Sequence, residues 1–287
     1  MWRSWLLIAL LTPSAALALT LYDKDGTQLN VAILLQPQVR VVGDASPSGG
    51  PSTDLYLRRA RLLVHGALTS SISFFLETES PNLGLDGDFS SPFVLLDAYA
   101  SFRVVRALSV DAGLILVPLS HHATQGAVSL STLDYHSALL RFPRTLGRAG
   151  RDVGVQLRGL VLEDRLHYRL GVFNGIEGAA PAADAPAGTP TVNADDVPRV
   201  SGQVRVNLLG KESGFFFQGI YFTQTPLLSL GVGADFEPDA LRVGSTTSHY
   251  LALSADAFLD LPLGEADELV AQVAFHHYDQ GEGSTNT

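Results

Sequence analysis

Arginine carries most of the chemistry available to this chain. Lys24 and Lys211 are the only lysines, and every other strongly basic side chain is a guanidinium. A guanidinium presents a planar fork of donors that matches phosphate or carboxylate oxygens in pairs, and rings of such groups make anion pores. Alternation along the chain puts Arg40, Arg59, Arg61, Arg103, Arg158, Arg165, Arg169 and Arg205 on one polar face, the candidate pore-lining and anion-binding set. Arg59 with Arg61, and Arg165 with Arg169, form local basic rungs. The same face carries Glu77, Glu79, Asp97, Asp111, Asp152, Asp235, Asp256 and Asp260. The two sets are similar in size, so the face as a whole is not electropositive. A solvated wall of self-compensating charges fits the same residues.

The interruption at 118–150 is the better anion candidate. It holds His121, His122, His136, Arg141, Arg144 and Arg148, with Asp134 as its only acid. Its histidines become cationic only at mildly acid pH. Folded inward, this loop would place Arg141, Arg144 and Arg148 at a constriction where little water screens them. Lying outside, it is a surface loop.

Other chemistries find little support. The pairs His121-His122 and His276-His277 suggest a metal, but adjacent strand residues point oppositely and no carboxylate cluster accompanies the loop pair. Asp23-Lys24-Asp25-Gly26 begins like a calcium loop but lacks the later ligands, and reads as a turn before a strand. No Gly-rich phosphate loop, nucleophile elbow or kinase motif appears. No catalytic residue, metal or cofactor is therefore expected. The net charge of -10 argues against nucleic acid as a partner. Absence of cysteine excludes disulfides and thiolate chemistry.

Side chains that alternate in this way need extended strands with two unlike faces. At 54–79 the sequence DLYLRRARLLVHGALTSSISFFLETE shows two alternating runs meeting at a turn around Thr69-Ser70-Ser71. In the first run Tyr56, Arg58, Ala60, Leu62 and Val64 share one parity, and Leu55, Leu57, Arg59, Arg61, Leu63 and His65 the other. The same reading predicts strands at 29–42, 93–104, 108–117, 152–161, 165–174, 200–208, 214–222, 227–236, 249–260 and 269–278. The total is about twelve strands with no amphipathic helix, each near the ten or so residues that cross a bilayer when tilted. One irregularity stands out. The connection 223–226 is short where a long loop is due, and 237–248 is long where a turn is due.

Apolar-out, polar-in alternation with tight turns at one end and long loops at the other is the pattern of a transmembrane β-barrel, because lipid requires every backbone group to be paired. No apolar run is long enough for a spanning helix. The first residues predict an export signal over 1–18. Arg3 gives a positive start, Trp5 to Leu11 an apolar core, and Ala16-Leu17-Ala18 a small-x-small cleavage site. The expected organisation is a signal peptide at 1–18 and a barrel domain at 19–287.

Several segments resemble the phosphate-selective porin O and P family. They are the stretch at 54–79, DAYASFRVVRALSVDAGLILVPLS at 97–120, RDVGVQLRGLVLEDRLHYRLGVFNG at 151–175 and YLALSADAFLDLPLG at 250–264. The resemblance implies a bacterial outer-membrane barrel of about sixteen strands, working as a trimer, with a long loop folded into the pore. It also implies a passive channel for small anions such as phosphate. About four strands of that pattern are lacking, and the chain ends in a polar tail rather than an aromatic-terminated strand. The expectation is that C-terminal strands are missing. A barrel-based enzyme or adhesin, and a soluble secreted β-sandwich, are the alternatives.

Overall fold

Alternation produces extended backbone, and the computed structural model is one antiparallel sheet. The structure describes residues 19–136, 150–176, 178, 185, 186, 188–264 and 267–279. The expected signal peptide, the loop arginines Arg141, Arg144 and Arg148, and the polar tail from residue 280 lie outside the described residues.

The strands are β1 (Leu19–Lys24), β2 (Thr27–Val42), β3 (Ser52–Ala67), β4 (Ile72–Leu83), β5 (Val94–Val105), β6 (Leu108–Leu116), β7 (Arg151–Val161), β8 (Leu166–Phe173), β9 (Thr191–Val192), β10 (Arg199–Leu209), β11 (Leu227–Val243), β12 (Thr246–Pro262) and β13 (Glu268–Asp279). Each pairs with the next in the chain, except that β8 pairs with β10 and the short β9 lies against β11. Among the described residues there is no α-helix, and β1 and β13 do not pair, so the sheet is open. The expected closed barrel is thus present only as an all-β antiparallel sheet.

The connections define two ends. Asp25-Gly26, 68–71, 106–107 and 162–165 lie at a turn end; 43–51, 84–93 and the residues that follow β6 and β8 lie at a loop end. Asp25 and Gly26 both have positive φ (52° and 81°) and make the turn between β1 and β2; Asp23 and Lys24 belong to β1, so a strand precedes the turn that was expected to come before the first one.

The two faces of the sheet invert the usual soluble arrangement. Ile33, Leu35, Val39 and Val41 of β2 and Val232 of β11 are each more than half exposed. Asp97, Asp111, Asp235 and Asp260 are completely buried on the other face. Charged groups are rarely buried unless paired, so something must cover and neutralise that face.

Three expectations about strands need correction. Residues 214–222 are not a strand; they leave the sheet, and β10 pairs directly with β11. Residues 237–248 are not a loop. β11 and β12 run on to a tight turn at Gly244-Ser245, and a register shift between Glu237 and Leu241 absorbs Pro238, whose missing N–H cannot join a ladder. These two errors account for the irregular loop lengths. Finally, Leu55 and Leu57, which shared a parity with Arg59 and Arg61, do not share their face, whereas Leu63 does. The register shifts between Gln36↔Arg59 and Pro37↔Leu57, leaving Arg58 as a bulge. A bulge exchanges inside for outside: Leu55 is 77% exposed, whereas Arg59 is buried.

Candidate functional site: a charged inner face under two crossing segments

The polar face is covered by two segments that arrive from opposite ends. The first, residues 117–136, leaves β6 at the loop end and crosses from the late strands to the early ones. Ser201 Oγ donates to Pro118 O (2.8 Å), and the His121 N–H to Asp256 Oδ2 (3.2 Å). Gln125 Nε2 donates to Gln272 Oε1 on β13 (3.1 Å). Two residues on, Ala127 O accepts from Gln36 Nε2 on β2 (3.2 Å). Gly233 makes room for this crossing, since a Cβ there would lie 1.9 Å from Leu119 O. The long loop therefore folds inward, over its described part.

The second segment, residues 213–222, leaves β10 at the turn end. Phe217 N donates to Thr124 O and Gly126 N to Phe217 O, both at 2.9 Å, so the two segments join in a short parallel bridge. Gly219 N donates to Ser129 O (2.7 Å). The aromatic run Phe215-Phe216-Phe217 lies on the wall. Phe215 stacks on Tyr99 with ring centroids 4.4 Å apart, and Phe216 packs on Phe75 at 5.4 Å. Arg158 and Arg169 lie over the Phe215 ring, and Arg169 and Arg205 over Phe217, at 4.9–5.4 Å. Such stacks hold cations by the ring quadrupole.

Where the segments meet, His121 is completely buried between Phe217 and Phe258. Its Nδ1 lies 3.1 Å from Gln125 Nε2 and 3.2 Å from Gln272 Nε2. Both amide nitrogens donate, so Nδ1 accepts and Nε2 carries the proton. Nε2 donates to Glu212 Oε1 (2.8 Å). Glu212 also accepts from Tyr221 Oη (2.9 Å) and Ser229 Oγ. Burial pushes the His121 pKa down. Burial would raise Glu212, but the His121 and Ser229 donors and the Arg205 charge outweigh it and hold that carboxyl at about 2. The pair is a neutral imidazole on an ionised carboxylate. Burial and the neighbouring His121 likewise push His122 down to about 4. The expectation that these two histidines supply positive charge at mildly acid pH is therefore wrong: their burial opposes protonation.

The wall neutralises itself. Arg61 pairs with Glu77 (2.9 Å) and Glu79 (2.5 Å), and Arg151 with Asp97 (3.0 Å). Arg158 pairs with Asp111 (2.7 Å), and Arg199 with Asp152 (2.7 Å). Arg205 pairs with Asp256, and Arg40 with Asp54 (2.8 Å). At the bulge Arg58 and Arg59 both reach Asp134 of the crossing loop. Burial would raise the Asp134 carboxyl, and the two guanidiniums together hold it below its ordinary value.

Of the candidate arginines, the structure gathers Arg158, Arg169 and Arg205 beneath the phenylalanines. Arg59 and Arg61 sit together on β3, and Arg40 lies apart at the loop end. Arg103 and Arg165 are exposed toward the turn end, where Arg165 donates to the carbonyls of Asn207 and Leu208. Among the described residues Arg103, Arg165 and Arg169 have no carboxylate within ion-pair distance. Arg103, Arg158, Arg106, His167 and Ser213 line a recess of about 440 Å³ there, with no carboxylate in its lining.

Sequence reasoning missed Arg151, Arg199, Glu212 and the phenylalanine run as parts of this site, and placed His121 in the crossing loop without its partner Glu212. Arg199 was legible, since it alternates with Ser201, Gln203 and Arg205. Arg151 was not, because it and Asp152 are both buried at the start of β7, against the parity rule. No family model matches the chain, and no curated protein matches it.

Proposed function

We propose that this sheet is the wall of an outer-membrane β-barrel that passes small anions by passive diffusion, as the resemblance to the porin O and P family implies. The observation that carries the reading is the inverted pattern of burial. Rows of Val, Leu, Ile and Phe face outward along nearly every strand, while carboxylates and guanidiniums are sealed inside. A soluble sandwich would press those apolar rows together and wet the charged ones. Lipid gives the exposed rows an apolar solvent, and its demand for paired backbone means that the edges of β1 and β13 have strand partners there. The anion preference rests on the recess at the turn end and on Arg103 and Arg165, which have no carboxylate within ion-pair distance among the described residues.

Planar-bilayer recording tests the reading. Purified protein should give stepwise currents whose reversal potential in a potassium chloride gradient favours chloride. R103A/R165A should move that potential toward zero. Protein that stays dispersed without detergent, or that inserts and never conducts, would overturn the channel and favour a soluble protein or a closed barrel with another task.

A further inference from the structure

We propose that residues 213–222 are a displaceable plug, which opens the lumen by withdrawing toward the turn end and thereby uncovers Arg158, Arg169 and Arg205. The inference rests on the channel reading and adds a moving part to it.

The segment occupies the interior without belonging to the wall. Its backbone is bound by one bridge and a few single hydrogen bonds, not by a ladder. Its wall contacts are ring stacks on Tyr99, Phe75 and three guanidiniums, the bonds from Arg169 to its carbonyls, and one bond from the Tyr221 N–H to Asp260 Oδ2 (2.8 Å), all of which break without leaving a strand unpaired. It enters between Gly210 (φ 59°) and Gly214 (φ 117°), both in left-handed backbone, and leaves at Phe222 (φ 49°). Left-handed backbone at glycine turns freely.

The covered state is also incompletely satisfied. Arg169 is 1% exposed, and its Nη2 donates to Phe215 O (2.5 Å) and Gly214 O (3.3 Å). Its Nε and Nη1 meet no hydrogen-bond acceptor. Unmet buried donors oppose the covered state, and withdrawal of the plug would hand them to water or to a passing solute. The opposing hold is at the base of the segment, where Glu212 is tied to His121 and Ser229. The stranded donors favour withdrawal and the hold at Glu212 favours the covered state, the two opposed terms that a gate requires.

The chain has no cysteine, so a single engineered bond can test this. A Cβ built on Gly126 would lie 3.6 Å from the Phe216 Cβ, and Gly126 has φ -77°, open to any residue. That separation falls in the range of about 3.5–4.5 Å that disulfides span. The two segments come from opposite ends, so a bond between them holds both. In planar bilayers, oxidised G126C/F216C should lose its openings and regain them with reductant, while the wild-type protein ignores reductant. F215A/F216A/F217A should conduct more per channel than wild type. Equal open probability of G126C/F216C with and without reductant, or an unchanged unit conductance in the triple alanine variant, overturns the plug alone. Silence from every protein overturns the channel reading as well.

Discussion

Acid should loosen the crossing segment 117–136, and the amount follows from His122. This side chain is 8% exposed, its ring lies edge-on to Tyr135 at 5.6 Å, and its Nε2 accepts the His136 N–H (3.1 Å). Seated, it titrates at about 4; released, it titrates near its ordinary 6.5. The released state therefore binds the proton more readily, and seating weakens as pH falls below 6.5 until about pH 4, below which the deficit is constant. At pH 5 the deficit from this one group is about 2 kcal/mol, or about 30-fold in the opening equilibrium. His121 acts in the same direction. Glu212, held low when seated, begins to act only as pH falls through the ordinary range of a free glutamate near 4.5. Hydrogen exchange of detergent-solubilised protein, corrected for intrinsic rates, should show protection in 117–136 falling by at least this factor between pH 7.5 and pH 5. H122Q keeps an acceptor and loses the titration, so its fall should be about 30-fold smaller. Parallel curves for wild type and H122Q would refute the reasoning.

R61A should strand the Glu77 and Glu79 carboxylates and lower stability by about 3–5 kcal/mol, read from the urea midpoint in detergent, whereas R103A should stay within about 0.5 kcal/mol; equal midpoints would sink the buried-network account. V232K puts a charge on an outward row of β11 and should cost about 2–4 kcal/mol of insertion if that row meets the bilayer centre, seen as a lower yield of folded protein in vesicles. An unchanged yield would mean that this row faces water. G233V would drive a branched side chain into Leu119 O and should expose 117–136 to protease while the strands stay resistant; resistance throughout would show that the loop tolerates displacement.

Most of the wall was legible because a period of two is a property of strands themselves. The exposed rows Ile33–Leu35 and Val39–Val41, and the buried Glu77, Asp97 and Asp256, fall where their parity puts them. The failures share one cause: pattern cannot see what lies across the fold. The run Gly214 to Phe222 has strand composition, but aromatic propensity for strands reflects a fit to half-buried surfaces. Here that surface is a set of guanidiniums. The bulge at Arg58 changed the face of Leu55 and brought Arg58 and Arg59 to one loop carboxylate, Asp134. Which acid neutralises which arginine depends on register between strands, so Arg61–Glu77 and Arg205–Asp256 could not be read from either partner alone. His121 looked like a weak metal candidate, and its real neighbours, Glu212 and Gln272, lie far along the chain.

The glutamines that grip the crossing segment have a mechanical consequence. Gln272 near one margin of the sheet and Gln36 near the other hold points two residues apart, so only about 7 Å of main chain separates their grips. That tie works as a drawstring across the charged face of the open sheet, joining β13 to β2 through the crossing segment. Slackening at Gln125 would free those two margins to move apart.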